Sequence, residues 1–155
     1  GWVVNVASMA GMGGVPYSGA YTATKAAVVA LSESWAGELK SKGINVSVLC
    51  PAFVQTRIYD SERNRPVQYQ SDTANAVIES SFSNKTKKMV ENGIEVSIVG
   101  KRVVEALNNN ELYIFTHPNY RFVMQNRSAQ IDKAFQNASE SPLLQHIVNQ
   151  KLDML

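Results

Sequence analysis

The sequence has little of what metalloproteins, disulfide-rich proteins and membrane proteins depend on. Its 155 residues include one cysteine, Cys50, and two histidines, so an intrachain disulfide cannot form and no cluster of metal ligands is indicated. No apolar run approaches the roughly 18 residues of a membrane span. The net charge of +2 comes without a long basic run, which disfavours nucleic acid and anionic membranes as partners. We expect a cytoplasmic protein that acts on a small molecule.

Two predicted strands and the helix between them form a parallel crossover. Residues 2–7 are nearly continuous apolar sequence, which is typical of a parallel strand buried on both faces. A helical pattern runs over residues 18–42, and Gly43 ends it before a second strand over residues 44–49. Strand, helix and strand in this order predict a right-handed crossover, the unit of a doubly wound parallel sheet.

The predicted helix carries two stripes, one of mostly large apolar residues and one of small residues. The large stripe contains Thr24, Val28, Leu31, Trp35 and Leu39, and the small stripe contains Ala20, Ala23, Ala27 and Ala30. Two stripes predict a helix that is covered on two sides. The small stripe also allows another helix to approach closely, which favours a homo-oligomer.

The remainder of the chain predicts a lid, a third strand and further helices. Between residues 57 and 93 the apolar periodicity fades over a stretch too long for an ordinary connection, so we expect a substrate lid or, alternatively, a solvated insertion. A helix through Val99, Val103 and Leu107 then leads to a third parallel strand over residues 112–115. Two more helices are predicted beyond residue 118. Residues 1–155 are thus predicted to form one partial α/β domain.

The residues that suggest chemistry are Ser8, Tyr21 and Lys25. Tyr21 and Lys25 are four positions apart, so on a helix their side chains leave the same face one turn apart. A cation held near a phenol stabilises its phenolate form, which makes such a pair suitable for acid and base catalysis. Ser8 follows the first strand, where open α/β sheets bind their ligands. The alternative for Tyr21 and Lys25 is an exposed helical pair without a chemical role.

Three motifs in this order carry a resemblance to a known family. They are Asn5-Val6-Ala7-Ser8, Tyr21-Thr22-Ala23-Thr24-Lys25 and Pro51-Ala52-Phe53-Val54-Gln55-Thr56. Together they resemble the short-chain dehydrogenase/reductase family. The resemblance implies a Rossmann-type doubly wound sheet and NAD or NADP as the cofactor. It also implies a homodimer or homotetramer.

The resemblance implies a role for each matching residue. Tyr21 would be the catalytic acid and base, Ser8 would bind the reacting oxygen, and Lys25 would assist Tyr21 and bind the nicotinamide ribose. The turn that lies against the nicotinamide would contain Pro51, Ala52, Phe53, Val54 and Thr56, with the Val54 backbone and the Thr56 side chain on the carboxamide. The family usually has glycine where this chain has Ala52.

The implied reaction is the interconversion of a secondary alcohol and a ketone by hydride transfer. Epimerisation or dehydration within the same family, and a non-catalytic nucleotide-sensing module, are the alternatives. The family's glycine-rich, pyrophosphate-binding turn and its catalytic asparagine do not occur in these residues. The resemblance therefore implies the C-terminal, catalytic half of the fold, with about three strands and their flanking helices, as part of a larger polypeptide.

Three later segments resemble one branch of this family, the branch that contains aryl alcohol Cα-dehydrogenases. They are Arg63-Asn64-Arg65-Pro66, residues 93–107 and residues 112–118. Within the predicted lid, Arg57, Arg63 and Arg65 can meet an acidic group of a substrate, or they can be solvated surface charges. His117 follows the third predicted strand, where it can contact substrate or serve as a structural histidine.

Overall fold

The computed structural model describes residues 1–69 and 76–151. The strands are β1 (Trp2–Val6), β2 (Asn45–Cys50) and β3 (Tyr113–Phe115), and the long helices are α1 (Gly19–Lys40), α2 (Ala76–Glu91), α3 (Val96–Asn108) and α4 (Arg121–Ser139). Short 3-10 turns lie at Met9–Gly11, Ile58–Asn64, Val67–Tyr69 and Pro118–Tyr120. None of the described helices is long and apolar enough to cross a membrane.

The strands form one parallel sheet in the order β1-β2-β3. Trp2 lies opposite Asn45 in the β1–β2 pair, and Cys50 lies opposite Phe115 in the β2–β3 pair. The predicted α/β class with three parallel strands is therefore confirmed.

The core lies on both faces of β2. Because successive residues of a strand point to opposite faces, Val48 and Cys50 pack on one side with Val29 of α1. Leu49 packs on the other side with Ala106 of α3 and Ile114 of β3. The sheet thus has a helix on each face, which is the doubly wound arrangement.

The expectation that β1 is buried on both faces is wrong. Trp2 is 52% exposed and Val6 is 58% exposed. The physical reason is position: β1 pairs with β2 along one edge, and its other edge has no strand partner among the described residues.

Helix α1 is covered on one side by the described residues rather than on two: Val28 of the large stripe packs against the core, whereas the small stripe is exposed. Val29 and Ser32 are its buried residues, whereas Leu31 and the four alanines of the small stripe are exposed. Burial of Ser32 is tolerated because its hydroxyl accepts from Asn5 Nδ2 at 3.0 Å and donates to the Val28 carbonyl at 2.7 Å. A polar residue therefore occupies a core position that an apolar stripe cannot reveal.

A second compact unit begins at Pro118. It contains α4, which confirms the first helix predicted beyond that residue, and no residue of α4 is buried. The second helix was predicted through Leu143, Leu144, Ile147, Val148 and Leu152. Residues 142–149 form a series of turns instead, and Leu152 lies outside the described residues. Successive hydrogen bonds join Leu144 to Ser141 and Ile147 to Leu144, each at 3.0 Å.

Candidate active site

The three strands end at the same edge of the sheet, and hydrogen bonds join the residues that follow them. The Met9 N–H donates to the Pro51 carbonyl at 2.9 Å, and the Ser8 hydroxyl lies 3.5 Å from the same oxygen. The Ala52 N–H points at Nδ1 of His117 at 3.4 Å. The structure therefore brings together the ends of β1, β2 and β3, where parallel sheets place their ligands.

Ser8 begins the short turn that links β1 to the loop before α1. Its hydroxyl accepts a hydrogen bond from the Ala10 N–H at 3.1 Å. The turn approaches α1 closely because Gly11 has no side chain: a Cβ there would lie 2.6 Å from the carbonyl carbon and oxygen of Lys25. Gly11 therefore sets how near the Ser8 turn lies to the helix that carries Lys25.

Tyr21 and Lys25 lie in the first two turns of α1, as predicted. The Lys25 ammonium is 5.7 Å from the centre of the Tyr21 ring and donates to the Val6 carbonyl at 3.2 Å. Tyr21 is 42% exposed, so its hydroxyl can be reached by a small molecule. Lys25 thus connects Tyr21 to Val6 at the end of β1, two residues before Ser8.

The turn after β2 is held by a main-chain bridge. Val54 pairs with Ile94 in parallel register; the Gln55 N–H donates to the Ile94 carbonyl at 2.9 Å, and the Ile94 N–H donates to the Phe53 carbonyl at 3.1 Å. Peptide groups alternate in direction along an extended segment. The Val54 N–H and C=O therefore point away from Ile94. The Thr56 hydroxyl accepts from the Ile58 N–H at 3.3 Å.

His117 contacts this turn from the end of β3. Its Nδ1 is 2.7 Å from the Thr116 hydroxyl as well as 3.4 Å from the Ala52 nitrogen. Because an amide N–H can only donate, Nδ1 is the acceptor in the bond to Ala52. These contacts favour the structural interpretation of His117.

The arginines of the predicted lid bind to their own segment. Arg57 pairs with Asp60 at 2.5 Å, and Arg63 donates to the Arg57 carbonyl at 2.9 Å. Arg65 donates to the Tyr69 carbonyl at 3.4 Å. The side chain of Arg57 is also 69% exposed. These local partners favour surface charge over recognition of an acidic substrate group.

Two further ionisable groups, Cys50 of β2 and Tyr113 of β3, lie on the side of the sheet that α1 covers. Burial raises the pKa of the Cys50 thiol to about 11. The Tyr113 hydroxyl donates to the Glu33 carboxylate at 2.6 Å, and this bond, with burial, raises the pKa of Tyr113 to about 12. Both groups stay protonated near neutral pH. In the described part of the chain no group of three or more His, Cys, Asp or Glu side chains could hold a metal ion.

The sequence is similar to known oxidoreductases. Residues 1–66 match a family model described as short chain dehydrogenase. The chain is 36% identical over 135 residues to a CLA biosynthesis dehydrogenase/reductase of Lactiplantibacillus plantarum, covering 83% of this chain and 47% of the relative. It is 31% identical over 121 residues to a C alpha-dehydrogenase of a Sphingobium species, covering 78% of this chain and 39% of that protein.

The fold is similar to that of solved structures as well. A short chain dehydrogenase/reductase from Burkholderia phymatum, in complex with NAD, superposes with a TM-score of 0.79 at 30% identity, covering 99% of this chain and 52% of that one. A putative short-chain dehydrogenase from Novosphingobium aromaticivorans gives a TM-score of 0.65 at 30% identity, covering 92% of this chain and 40% of that one. The chain spans about half the length, or less, of the relatives it matches.

Proposed function

Since the chain belongs to the short-chain dehydrogenase/reductase family, we propose that it interconverts a secondary alcohol and a ketone with NAD or NADP. The observation that carries this proposal is the position of Lys25. Its ammonium lies beside the Tyr21 ring and donates to the carbonyl of Val6, the last residue of β1, two residues before Ser8. A phenol, a cation and a hydroxyl at one strand end are the groups needed to bind and protonate a carbonyl oxygen.

Each of the three side chains has a separate task. In ketone reduction, Tyr21 gives its phenolic proton to the substrate oxygen, and in alcohol oxidation its phenolate takes that proton back. The positive charge of Lys25 favours negative charge on the Tyr21 oxygen while the proton is in transit. Ser8 donates a hydrogen bond to the same substrate oxygen and holds it in place. When bound, the nicotinamide supplies or accepts the hydride.

The turn after β2 suits the nicotinamide end of such a cofactor. The N–H and C=O of Val54 point away from Ile94, and together they offer one donor and one acceptor. A carboxamide carries the complementary acceptor and donor. Pro51, Ala52 and Phe53 would form the wall of this site, with the Thr56 hydroxyl as a further polar group; Lys25 would bind the ribose. The donors and acceptors present therefore fit the cofactor.

We also propose a homodimer or homotetramer that uses the outer face of α1. Ala20, Ala23, Ala27 and Ala30 are exposed on this face. Small side chains let the backbones of two helices approach closely. Sedimentation analysis of an Ala27→Glu variant checks this proposal: the variant should dissociate, and an unchanged mass would exclude α1 from the interface.

Substitution of Tyr21 tests the proposed reaction. A spectrophotometric screen of NAD and NADP against secondary alcohols and ketones first identifies a substrate, using the protein as its gene encodes it. Tyr21→Phe should then lower kcat by about 10²-fold to 10⁴-fold, because it removes the acid and base, while the Kd of the cofactor changes little. Tyr17→Phe is the matched control, because Tyr17 is 99% exposed in the preceding loop.

Two results would contradict the proposal. Full turnover by Tyr21→Phe would exclude Tyr21 as the acid and base. Products without net oxidation or reduction, traced with deuterium-labelled cofactor, would instead favour epimerisation or dehydration.

A further inference from the structure

The turn after β2 and the segment before α3 are joined at the base of residues 57–93. Gln55 and Ile94 share a main-chain hydrogen bond of 2.9 Å, Ile94 and Phe53 share one of 3.1 Å, and Gln55 Nε2 donates to the Gly93 carbonyl at 2.9 Å. We call this set of three bonds the turn clamp. It connects residues 53–55, shortly before the predicted lid of residues 57–93, to Gly93 and Ile94 at the end of that lid.

The clamp depends on glycine at position 93. A Cβ on Gly93 would lie 2.4 Å from the Phe53 carbonyl oxygen, 2.6 Å from the Phe53 carbonyl carbon and 2.8 Å from the Val54 nitrogen. All three are backbone atoms, which cannot rotate away as a flexible side chain can. Any side chain here would therefore displace the main chain of Phe53 and Val54. The requirement is for space, since Gly93 does not have the left-handed backbone that favours glycine elsewhere.

The clamp also sets the direction of the Val54 peptide groups. Because the bonds to Ile94 engage Phe53 and Gln55, the N–H and C=O of Val54 are turned to the other side of the segment. A shift of the Phe53 or Val54 backbone would redirect both groups. A donor and acceptor pair that recognises a carboxamide needs a fixed direction, because hydrogen bonds weaken steeply with poor alignment.

We propose that Gly93 and Ile94 are positioning residues for the nicotinamide: they hold residues 53–55 so that Val54 presents its N–H and C=O to the carboxamide. This role rests on the proposed function, since it presumes that the turn binds a nicotinamide. It also gives residues 57–93 a fixed base, because both ends of that segment meet at the clamp.

A comparison of two ligands in the Gly93→Ala variant tests the positioning role. The protein as its gene encodes it is titrated with the reduced cofactor that the wild type uses, and with the ADP-ribose portion of that cofactor, which lacks the nicotinamide. Gly93→Ala should weaken binding of the intact cofactor about tenfold, the size expected for one or two lost hydrogen bonds. Binding of the ADP-ribose portion should change less than about twofold, because it lacks the carboxamide that Val54 is proposed to bind. Gly100→Ala is the matched control, because a Cβ at Gly100 of α3 meets nothing within 4 Å.

The possible results distinguish failure of the positioning role of Gly93 and Ile94 from failure of the proposal that the turn binds a nicotinamide. If Gly93→Ala binds both ligands as the wild type does, the positioning role is overturned. If the wild type binds the intact cofactor no more tightly than its ADP-ribose portion, the assignment of the turn to the nicotinamide fails, and the positioning role fails with it. Amide hydrogen exchange at Gln55 and Ile94 then still reports whether Gly93→Ala breaks the clamp.

A milder variant covers the case in which Gly93→Ala does not fold. Gln55→Ala removes only the side-chain bond to the Gly93 carbonyl and leaves both main-chain bonds in place. It should weaken the intact cofactor about twofold to threefold relative to the ADP-ribose portion. If Gly93→Ala is insoluble and Gln55→Ala leaves this ratio unchanged, the proposal is overturned.

Discussion

β1 and β2 lie side by side in the sheet, yet they are buried to very different extents. β1 has the more apolar sequence, Trp-Val-Val-Asn-Val, against Asn-Val-Ser-Val-Leu-Cys in β2. Nevertheless both ends of β1 are exposed, while every residue of β2 after Asn45 is buried. The difference arises because β2 has a strand on each side and a helix on each face. Position in the sheet, rather than apolar content, decides burial here.

The ends of these two strands also contribute different groups to the candidate site. The more exposed strand leads to the proposed reacting groups, since Ser8 follows β1 and Lys25 binds the Val6 carbonyl. The buried strand leads to the turn that His117 and Ile94 hold in place. We infer that the end of β1 contributes chemistry and that the end of β2 contributes rigidity. Substitutions on the two strands should therefore differ in whether they change turnover or stability.

Among substitutions that compare the two strands, the largest effect is expected at the end of β1, from Ser8→Ala. Loss of a hydrogen bond to the reacting oxygen should lower kcat by about 10²-fold to 10³-fold. The free energy of unfolding should also fall, by about 1 kcal/mol. The variant loses the hydrogen bond that the Ser8 hydroxyl accepts from the Ala10 N–H at the start of the short turn after β1. Steady-state kinetics and urea unfolding measure the two effects.

Ser8→Thr is the control for this variant, because threonine retains the hydroxyl and should recover part of the lost turnover. A Ser8→Ala protein with normal kcat and strongly reduced stability would reverse the proposed division between the two strands.

A matched pair of valines tests the contrast in stability directly. Val48 of β2 is completely buried and Val6 of β1 is 58% exposed. Val48→Ala should lower the free energy of unfolding by about 2 kcal/mol, through lost burial and the cavity left behind. Val6→Ala should cost less than about 0.5 kcal/mol. Equal losses in urea unfolding would show that the outer side of β1 is covered in the folded protein.

The sequence predicted the parts of the fold that local patterns determine. Gly43 has a φ of +67°, the left-handed backbone that favours glycine, and it lies in the turn between α1 and β2 where the prediction placed a helix end. The spacing of Tyr21 and Lys25 was sufficient to place both on one helix face. These features depend only on neighbouring residues, which a sequence displays directly.

Features that depend on distant contacts were not predictable in the same way. Burial of Ser32 depends in part on a hydrogen bond from Asn5 of β1, which is 27 residues away in the sequence. Gly11 and Gly93 matter because they touch the backbones of Lys25 and Phe53, which are far away in sequence. A single sequence contains no signal for these close tertiary contacts.

Helix α2 was not predicted either, for a different reason: the sequence of this part of residues 57–93 is mostly polar.

The third strand, β3, has only three residues, and an ion pair links the segment just before it to α3. Arg102 of α3 pairs with Glu111 just before β3 and donates to the Phe115 carbonyl at 3.3 Å. The hydrogen bond from Arg102 lowers the pKa of the Glu111 carboxyl from its ordinary value of 4.5. This carboxylate therefore stabilises the folded state above about pH 4.5, and the contribution is lost as the pH falls through the lowered folded-state pKa.

Glu111→Gln removes the charge and keeps an acceptor, so it isolates the electrostatic part of this pair. At pH 7 the variant should melt about 1–4 °C below the wild type, because the pair is partly exposed to solvent. The two melting curves should converge in acid, where the wild-type carboxyl is also protonated. A difference that persists unchanged at pH 2 would mean that Glu111 acts through its shape rather than its charge.

The smallest effect expected is that of a thiol reagent on Cys50 in the folded protein. Its thiol is fully buried in β2 and burial raises its pKa to about 11. Because the thiolate is the reactive form, Cys50 should stay unmodified by iodoacetamide at pH 8 until the protein unfolds. A Val6→Cys variant offers a matched thiol on the exposed strand, and peptide mass mapping after labelling distinguishes the two positions. The thiol introduced in β1 should react first, whereas equal labelling of both in the native protein would show that β2 is not the protected centre of the sheet.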